Sequence, residues 1–314
     1  MFSLRPQSPY RHPHTHSYGR CRYGRNTVKV VSNNRTLQQG SIAAGTRRPA
    51  VIVRDNGDTW QVVLQTDHAI LSGDFARAWG NAAFETPRPH GTVTTAAMRH
   101  DDGWAIWERY PSVLVINGTQ KPRNFLDVQI RSHLAFYRAQ IAAVLDEDAY
   151  AGMLISMHGC GIYNARYGTD PALKLTFADA DQRAIDEFAA EQELLQTGVR
   201  ADLGLSDDEV WTNYKLLQIF DRLSLYFCMK DLEAGEAATI TSVPVHYGGE
   251  DITMNIQADG PWRVRMDPFP FSGTEHSFSL LRREIPKRVW ADHDEFRRDF
   301  FAITPEATQI VVSA

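Results

Sequence analysis

From residue 51 onward, apolar and polar positions follow two different rhythms. The runs 51–54 and 60–64 are β-rich and flank Asp55-Asn56-Gly57-Asp58, a hairpin turn signal. A helical period follows. Thr66 stands where an N-cap is expected, Ile70, Leu71, Phe75 and Trp79 form one apolar stripe, and Gly80 ends it. Pro87-Arg88-Pro89-His90-Gly91 reads as a loop, and a short helix after it ends in His100-Asp101-Asp102-Gly103-Trp104. Asp127 is expected to cap a longer helix that runs to Leu145. Residues 150–157 are apolar and lead into His158-Gly159-Cys160-Gly161. Residues 179–195 are helical and acidic. Residues 207–229 carry Leu216, Leu217, Phe220, Leu223, Ser224 and Phe227 on one helical face.

After Ala237 the period drops to two. The runs 238–245, 252–257, 262–266 and 277–282 alternate as strands do, with turns at Gly248-Gly249 and Asp259-Gly260. The pattern predicts a mainly α fold. Its helical core covers residues 65–230, and a small β-rich subdomain comes from the first hairpin and residues 237–314. Residues 51–314 are expected to form a single globular domain.

Charge divides the chain more sharply than composition does. The net charge is -5, but residues 1–50 hold nine of the 33 basic residues and no Asp or Glu. The remainder has 24 basic and 38 acidic residues, so the two parts carry +9 and -14. The leader shows no structural period and is expected to be disordered. A transit peptide and a nucleic-acid-binding arm are two explanations for it. A wrongly assigned start, with the real chain beginning at Val51, is the preferred one. The acidic body argues against nucleic-acid binding through a general basic surface. The sequence has no run of 18 apolar residues, so no membrane helix is expected. The three widely spaced cysteines fit a reducing cytoplasm, where the expected partner is a small-molecule substrate.

The chemistry-bearing residues are few. His100-Asp101 offers two adjacent metal-capable side chains at a helix end that Gly103 can loosen. Alone, such a pair is usually surface decoration. Asp221 is sharper, because its helix is too apolar to hold a carboxylate without a metal or a cation. The bland alternative is an ion pair with Arg222 or a neighbouring arginine. His68 and His133 lie within predicted helices, and His158 closes an apolar one. Asp102 suits a general acid or base, or merely a turn cap. Lys121, Arg123 and Arg222 are the cations best placed to bind a substrate's phosphate or carboxylate.

His68, then His100-Asp101 closing a helix, then His133, His158 and Asp221 in Ile219-Phe220-Asp221-Arg222-Leu223-Ser224 resembles the HD-domain superfamily of metal-dependent enzymes. The resemblance covers residues 65–230 and implies an HD-domain-like helical bundle. It implies a site of two divalent ions (Mn, Fe, Mg or Zn). His68, His100, Asp101 and Asp221 would hold one, and His133 and His158 would complete the second. The implied activity is a phosphohydrolase or phosphodiesterase acting on a small phosphate ester or nucleotide. A di-iron oxygenase of a small metabolite and a non-catalytic metal-binding or sensor domain are the alternatives. The chain departs from the superfamily's cyclic-diguanylate phosphodiesterases in lacking their Gly-Tyr-Pro signature, and it has no adjacent His-His pair. Val51-Ile52-Val53-Arg54, the stretch from His100 to Trp104 and that from Ser156 to Gly159 also resemble an uncharacterised bacterial family of unknown function.

Overall fold

The apolar stripes predicted for the helices are buried against a sheet that is larger than local periodicity suggests. The computed structural model describes residues 51–314 apart from 171, 172, 174 and 234, so the basic leader lies outside the described residues. Strands β1 (Ile52–Asn56) and β2 (Thr59–Val63) form the first hairpin, with Gly57 at φ +68 in its turn. Helices α1 (Gln65–Ala78), α2 (His90–Arg99) and the short α3 (Ala105–Glu108) follow. A small hairpin of β3 (Val113–Ile116) and β4 (Thr119–Pro122) leads to α4 (Ile130–Glu147). Helices α5 (Ala149–Gly161), α6 (Asp179–Leu203) and α7 (Asp207–Met229) complete the helical half. Then come β5 (Ala237–Pro244), β6 (Asp251–Ala258), β7 (Arg263–Asp267), β8 (Glu275–Pro286), α8 (His293–Ala302) and β9 (Glu306–Ser313).

Among the described residues, seven strands join in the order β1-β2-β8-β9-β7-β6-β5. Within that sheet only the β7–β9 pairing is parallel. The expected mainly α fold, an HD-domain-like helical bundle with a small β-rich subdomain, is therefore corrected. The protein is an α/β fold in which helices pack on a large mixed sheet. The reason is long-range pairing. β2 pairs with β8 from Thr59↔Pro286 to Val62↔Arg283, which merges the first hairpin with the late strands. Sequence alternation reports which side of a strand is buried, but not which strand lies beside it.

Alternation does decide what the sheet offers the helices. Met254 and Ile256 of β6, Val264 and Met266 of β7, Phe278 and Leu280 of β8, and Ile310 and Val312 of β9 all point inward. They share one core with Leu71 and Phe75 of α1 and with Phe220 and Phe227 of α7. Helix α5 is buried from Tyr150 through Gly161, as an element that is apolar on all sides must be. At the other end α8 folds Phe296 and Phe300 against Trp60, Val62, Ile285 and Trp290.

Two expected caps are also corrected. Leu64, not Thr66, stands at the N-cap of α1. Thr66 Oγ1 instead donates to Glu108 Oε2 at 2.7 Å, and the Gln65 N–H donates to Glu108 Oε1, so a buried carboxylate from α3 closes the helix start. Asp127 does not cap α4, whose N-cap is Gln129. It forms a reciprocal capping box with Asn124 around the 3-10 turn Phe125–Asp127.

Candidate metal centre

Three helices bring the candidate ligands together. His68 lies on the buried face of α1 and Asp221 on the buried face of α7. His100 closes α2 at φ -61, ψ -19, and Asp101 leaves the helix at φ -121, ψ 19. That break lets two adjacent side chains turn to one place, which a continued helix would forbid. Gly103 then admits α4. A Cβ there would lie 2.6 Å from Gln140 Oε1 and 2.8 Å from the Phe136 carbonyl. Its role is close approach rather than a loosened helix end.

His68 Nε2 lies 3.0 Å from Asp101 Oδ2, and His100 Nε2 lies 3.7 Å from the same oxygen. One ligand atom from each of His68, His100 and Asp101 lies within 4.8 Å of the others, and all three residues are buried. Asp221 Oδ1 stands 3.5 Å from His100 Nε2, just outside that group. Among the described residues, His100 Nε2 has no hydrogen-bond partner.

The far side of each group is tied back. His100 Nδ1–H donates to the Ala97 carbonyl at 2.7 Å. Ser224 Oγ donates to the Asp221 carbonyl at 2.9 Å and so accepts from His68 Nδ1–H at 2.7 Å. Asp101 Oδ1 accepts from Tyr137 Oη at 2.9 Å, and Asp221 Oδ2 accepts from Arg166 Nη2 at 2.8 Å. His100 Nε2 and Asp221 Oδ1 therefore face the space between the groups, while His68 Nε2 is hydrogen-bonded to Asp101 Oδ2. Imidazoles whose other nitrogen donates to a fixed oxygen are the usual arrangement of metal-ligating histidines.

The electrostatics follow from burial and opposite charge. Burial opposes an imidazolium at His100, but Asp101 and Asp221 outweigh it and push the group up to about 9. Burial also works against the charged Asp101, yet His100 and His68 hold it well below the usual carboxylate range. Asp221 is likewise held low against its burial, chiefly by Arg166. Cations therefore stand beside both carboxylates, the His100 imidazolium and, at Asp221, Arg166.

The other predicted residues are distributed as follows. His158 lies edge-on to His100, with ring centroids 4.8 Å apart, but outside the three-ligand group. Its Nδ1 accepts from Gln218 Nε2 at 2.9 Å, and Gln218 Oε1 in turn accepts from Arg166. Burial, with His100 adding to it, pushes His158 down to about 3, so it is neutral with its proton on Nε2. His133 also stands outside the group, with Nδ1 2.5 Å from Tyr163 Oη and its ring against Trp104 and Tyr137. Burial pushes it down to about 4. Asp102 accepts from Arg99 Nε at 2.7 Å and faces a surface cavity instead of the ligands. Lys121 lies on β4, and Arg123 is buried just after it, its carbonyl accepting from Val51 N at 3.1 Å. Arg222 turns to Asp170, at 3.8 Å, and to the Thr239 carbonyl, at 3.4 Å.

The arginine on Asp221 is Arg166, not Arg222. It arrives from the turn Ala165–Gly168, where Ala165, Arg166 and Tyr167 have φ of 54, 52 and 54. Three successive left-handed residues other than glycine are costly, and the buried ion pair helps to hold them. Nothing in the sequence around Arg166 marks that conformation. Ser224 was on the right face of its helix, but a serine there reads as packing. Tyr137 and Gln218 carry no signal in the sequence.

No curated protein and no solved structure matches the chain. A family model does match, over residues 51–287, and its description is "Protein of unknown function (DUF3891)". The chain with this buried His-His-Asp cluster belongs to that uncharacterised family.

Proposed function

We propose that the protein is a metal-dependent hydrolase of a small phosphate ester or nucleotide, with one divalent ion held by His68, His100, Asp101 and Asp221. One observation carries this reading. Two imidazoles are tied back at Nδ1, and their Nε2 atoms lie 3.0 and 3.7 Å from Asp101 Oδ2, that of His100 also 3.5 Å from Asp221 Oδ1. Without an ion, His68 Nε2 must donate to that carboxylate and His100 is an imidazolium; a divalent ion that displaced these protons would meet two imidazole nitrogens and a carboxylate oxygen in one buried space. A donor set of nitrogen and oxygen without sulfur suits Mn, Fe, Zn or Mg. A divalent ion there would supply Lewis acidity towards a phosphoryl oxygen. The chain's own groups orient and neutralise. Tyr137 and Arg166 fix the two carboxylates, and His158 offers a neutral N–H donor beside His100. The order His, His-Asp, Asp is the core of the resemblance to HD-domain enzymes and supports the same reading. Asp221, though outside the three-ligand group, is included because its Oδ1 stands 3.5 Å from His100 Nε2; His133 and His158 have Nδ1 engaged by Tyr163 and Gln218, so the reading is for one ion rather than two.

The test is metal analysis of the purified protein together with phosphate release from a panel of phosphate monoesters and nucleotides. The expected result is one ion per chain and metal-dependent phosphate release, both lost in Asp101→Asn. Two irons with oxygen consumption would instead indicate an oxygenase and would sink the hydrolase reading. A chain that takes up no divalent ion would sink the metal centre itself.

A further inference from the structure

A cavity of about 880 Å³ opens between α3, α4 and the side chain of Arg297 on α8. Its floor is Trp107 and Phe136, both buried, with ring centroids 4.7 Å apart. One wall is α4, where Ala135, Ala139 and Ala143 succeed each other at four-residue spacing on one exposed face. Small side chains over an aromatic floor leave room for a flat apolar body. The volume lies in the range of ordinary small-molecule sites.

The rim gives the charge of the occupant. Three arginines reach it, and two of them are neutralised. Arg99 pairs with Asp102 at 2.7 Å and Glu147 at 2.6 Å, and Arg297 pairs with Asp294. Arg109 is exposed and, among the described residues, its side chain has no ion-pair or hydrogen-bond partner. Its planar fork suits an oxyanion, which it can hold through two parallel N–H groups. None of the candidate metal ligands lines this cavity, so it is separate from the metal centre. One cavity residue also holds the backbone of the segment that carries two of the candidate ligands. Gln140 lines the cavity, accepts from Gly103 N at 2.6 Å and donates to the His100 carbonyl.

We propose that this cavity is a second ligand site, for a small amphipathic organic anion. The apolar body lies over Trp107 and Phe136 beside the alanine face of α4, and the carboxylate, sulfonate or phosphate head pairs with Arg109. The probe that tests it is 1-anilinonaphthalene-8-sulfonate, an aromatic sulfonate that fluoresces when desolvated. The full chain should bind it saturably, one per chain. Ala139→Trp fills the cavity and should abolish that binding. Arg109→Glu should weaken it ten-fold or more, and Arg109→Lys should weaken it less. Positions 109 and 139 are both exposed, so unchanged circular dichroism and melting are expected for these variants. Folded Asp101→Asn protein should bind the probe normally, which separates this site from the metal reading. Absence of saturable binding, binding unaffected by Ala139→Trp, or loss of binding in folded Asp101→Asn would overturn the proposal.

Discussion

Ser224 shows how a residue with no chemistry of its own can decide a site. Its hydroxyl takes the His68 Nδ1–H and so leaves Nε2 directed at Asp101. Ser224→Ala would leave a buried N–H without an acceptor, at a cost of about 1–3 kcal/mol. Metal affinity should fall on the order of 10-fold, because the ring loses its orienting partner. Calorimetric metal titration and urea unfolding measure the two effects. Glu108 provides a prediction in pH. Burial, opposed by Thr66 and the Gln65 backbone, pushes its carboxyl up from 4.5 to about 7. The folded protein therefore keeps this proton between pH 4.5 and 7, where the unfolded chain has lost it. Stability contributed by this group falls as pH rises through that window, by about 3 kcal/mol at most. Glu108→Gln should remove that slope, so the stability difference between the two proteins should change steadily from pH 4.5 to 7 and level off above. A constant difference across the window would exclude a raised Glu108. Asp221 stood out in the sequence because a carboxylate in so apolar a helix demands a reason, whereas His68, His100 and Asp101 were singled out as its fellow ligands through the resemblance to HD-domain enzymes. Their orienting partners were not legible, since Ser224, Tyr137 and Gln218 are at home in any buried face.

At the scale of elements, α4 and α5 set the position of Tyr137. Gly159 faces the Tyr137 ring, and a Cβ there would lie 2.8 Å from Cδ1. Gly159→Ala should push the helices apart, cost about 1–3 kcal/mol of stability and loosen the Tyr137 bond to Asp101. Thermal melting tests the first effect. Metal affinity tests the second, because Gly198→Ala on α6, where a Cβ meets nothing within 4 Å, should leave it unchanged. Most helices were legible from their apolar period, since each buries one continuous stripe. The hairpin of β3 and β4 carried a signal, although no element was predicted between Trp104 and Asp127. Asn117-Gly118 follows Val113-Leu114-Val115-Ile116, and both turn residues take positive φ, at 51 and 77. Helix α8 also had its mark in Asp292, which accepts from Glu295 N at 2.7 Å. Lys121 lies on the returning strand of the β3–β4 hairpin.

For the whole molecule, the proposed metal centre would add a further tie between α1, α2 and α7, which already meet through packing and through hydrogen bonds such as His68–Ser224 and Ser72–Ser224. An ion bound to the folded state alone adds stability by mass action, about 2.7 kcal/mol at 100 times its Kd. The melting temperature should rise with added Mn, Fe or Zn and fall with a chelator, and Asp101→Asn should abolish the dependence. A wild-type melting curve indifferent to both additions would count against a buried ion. The sheet was the least legible feature at this scale, because its halves are joined by pairings between distant segments. Strand β9 lies between β8 and β7, so within the described sheet it is the sole bridge between β1-β2-β8 and β7-β6-β5. On a ribosome, where the chain emerges from its N-terminal side, both three-stranded halves must wait for that strand with an edge unpaired. Open edges recruit strands from other chains. The nascent protein thus has a late, aggregation-prone interval that ends only when β9 is delivered. Its yield in cells should depend on chaperones far more than the packing of the finished molecule would suggest.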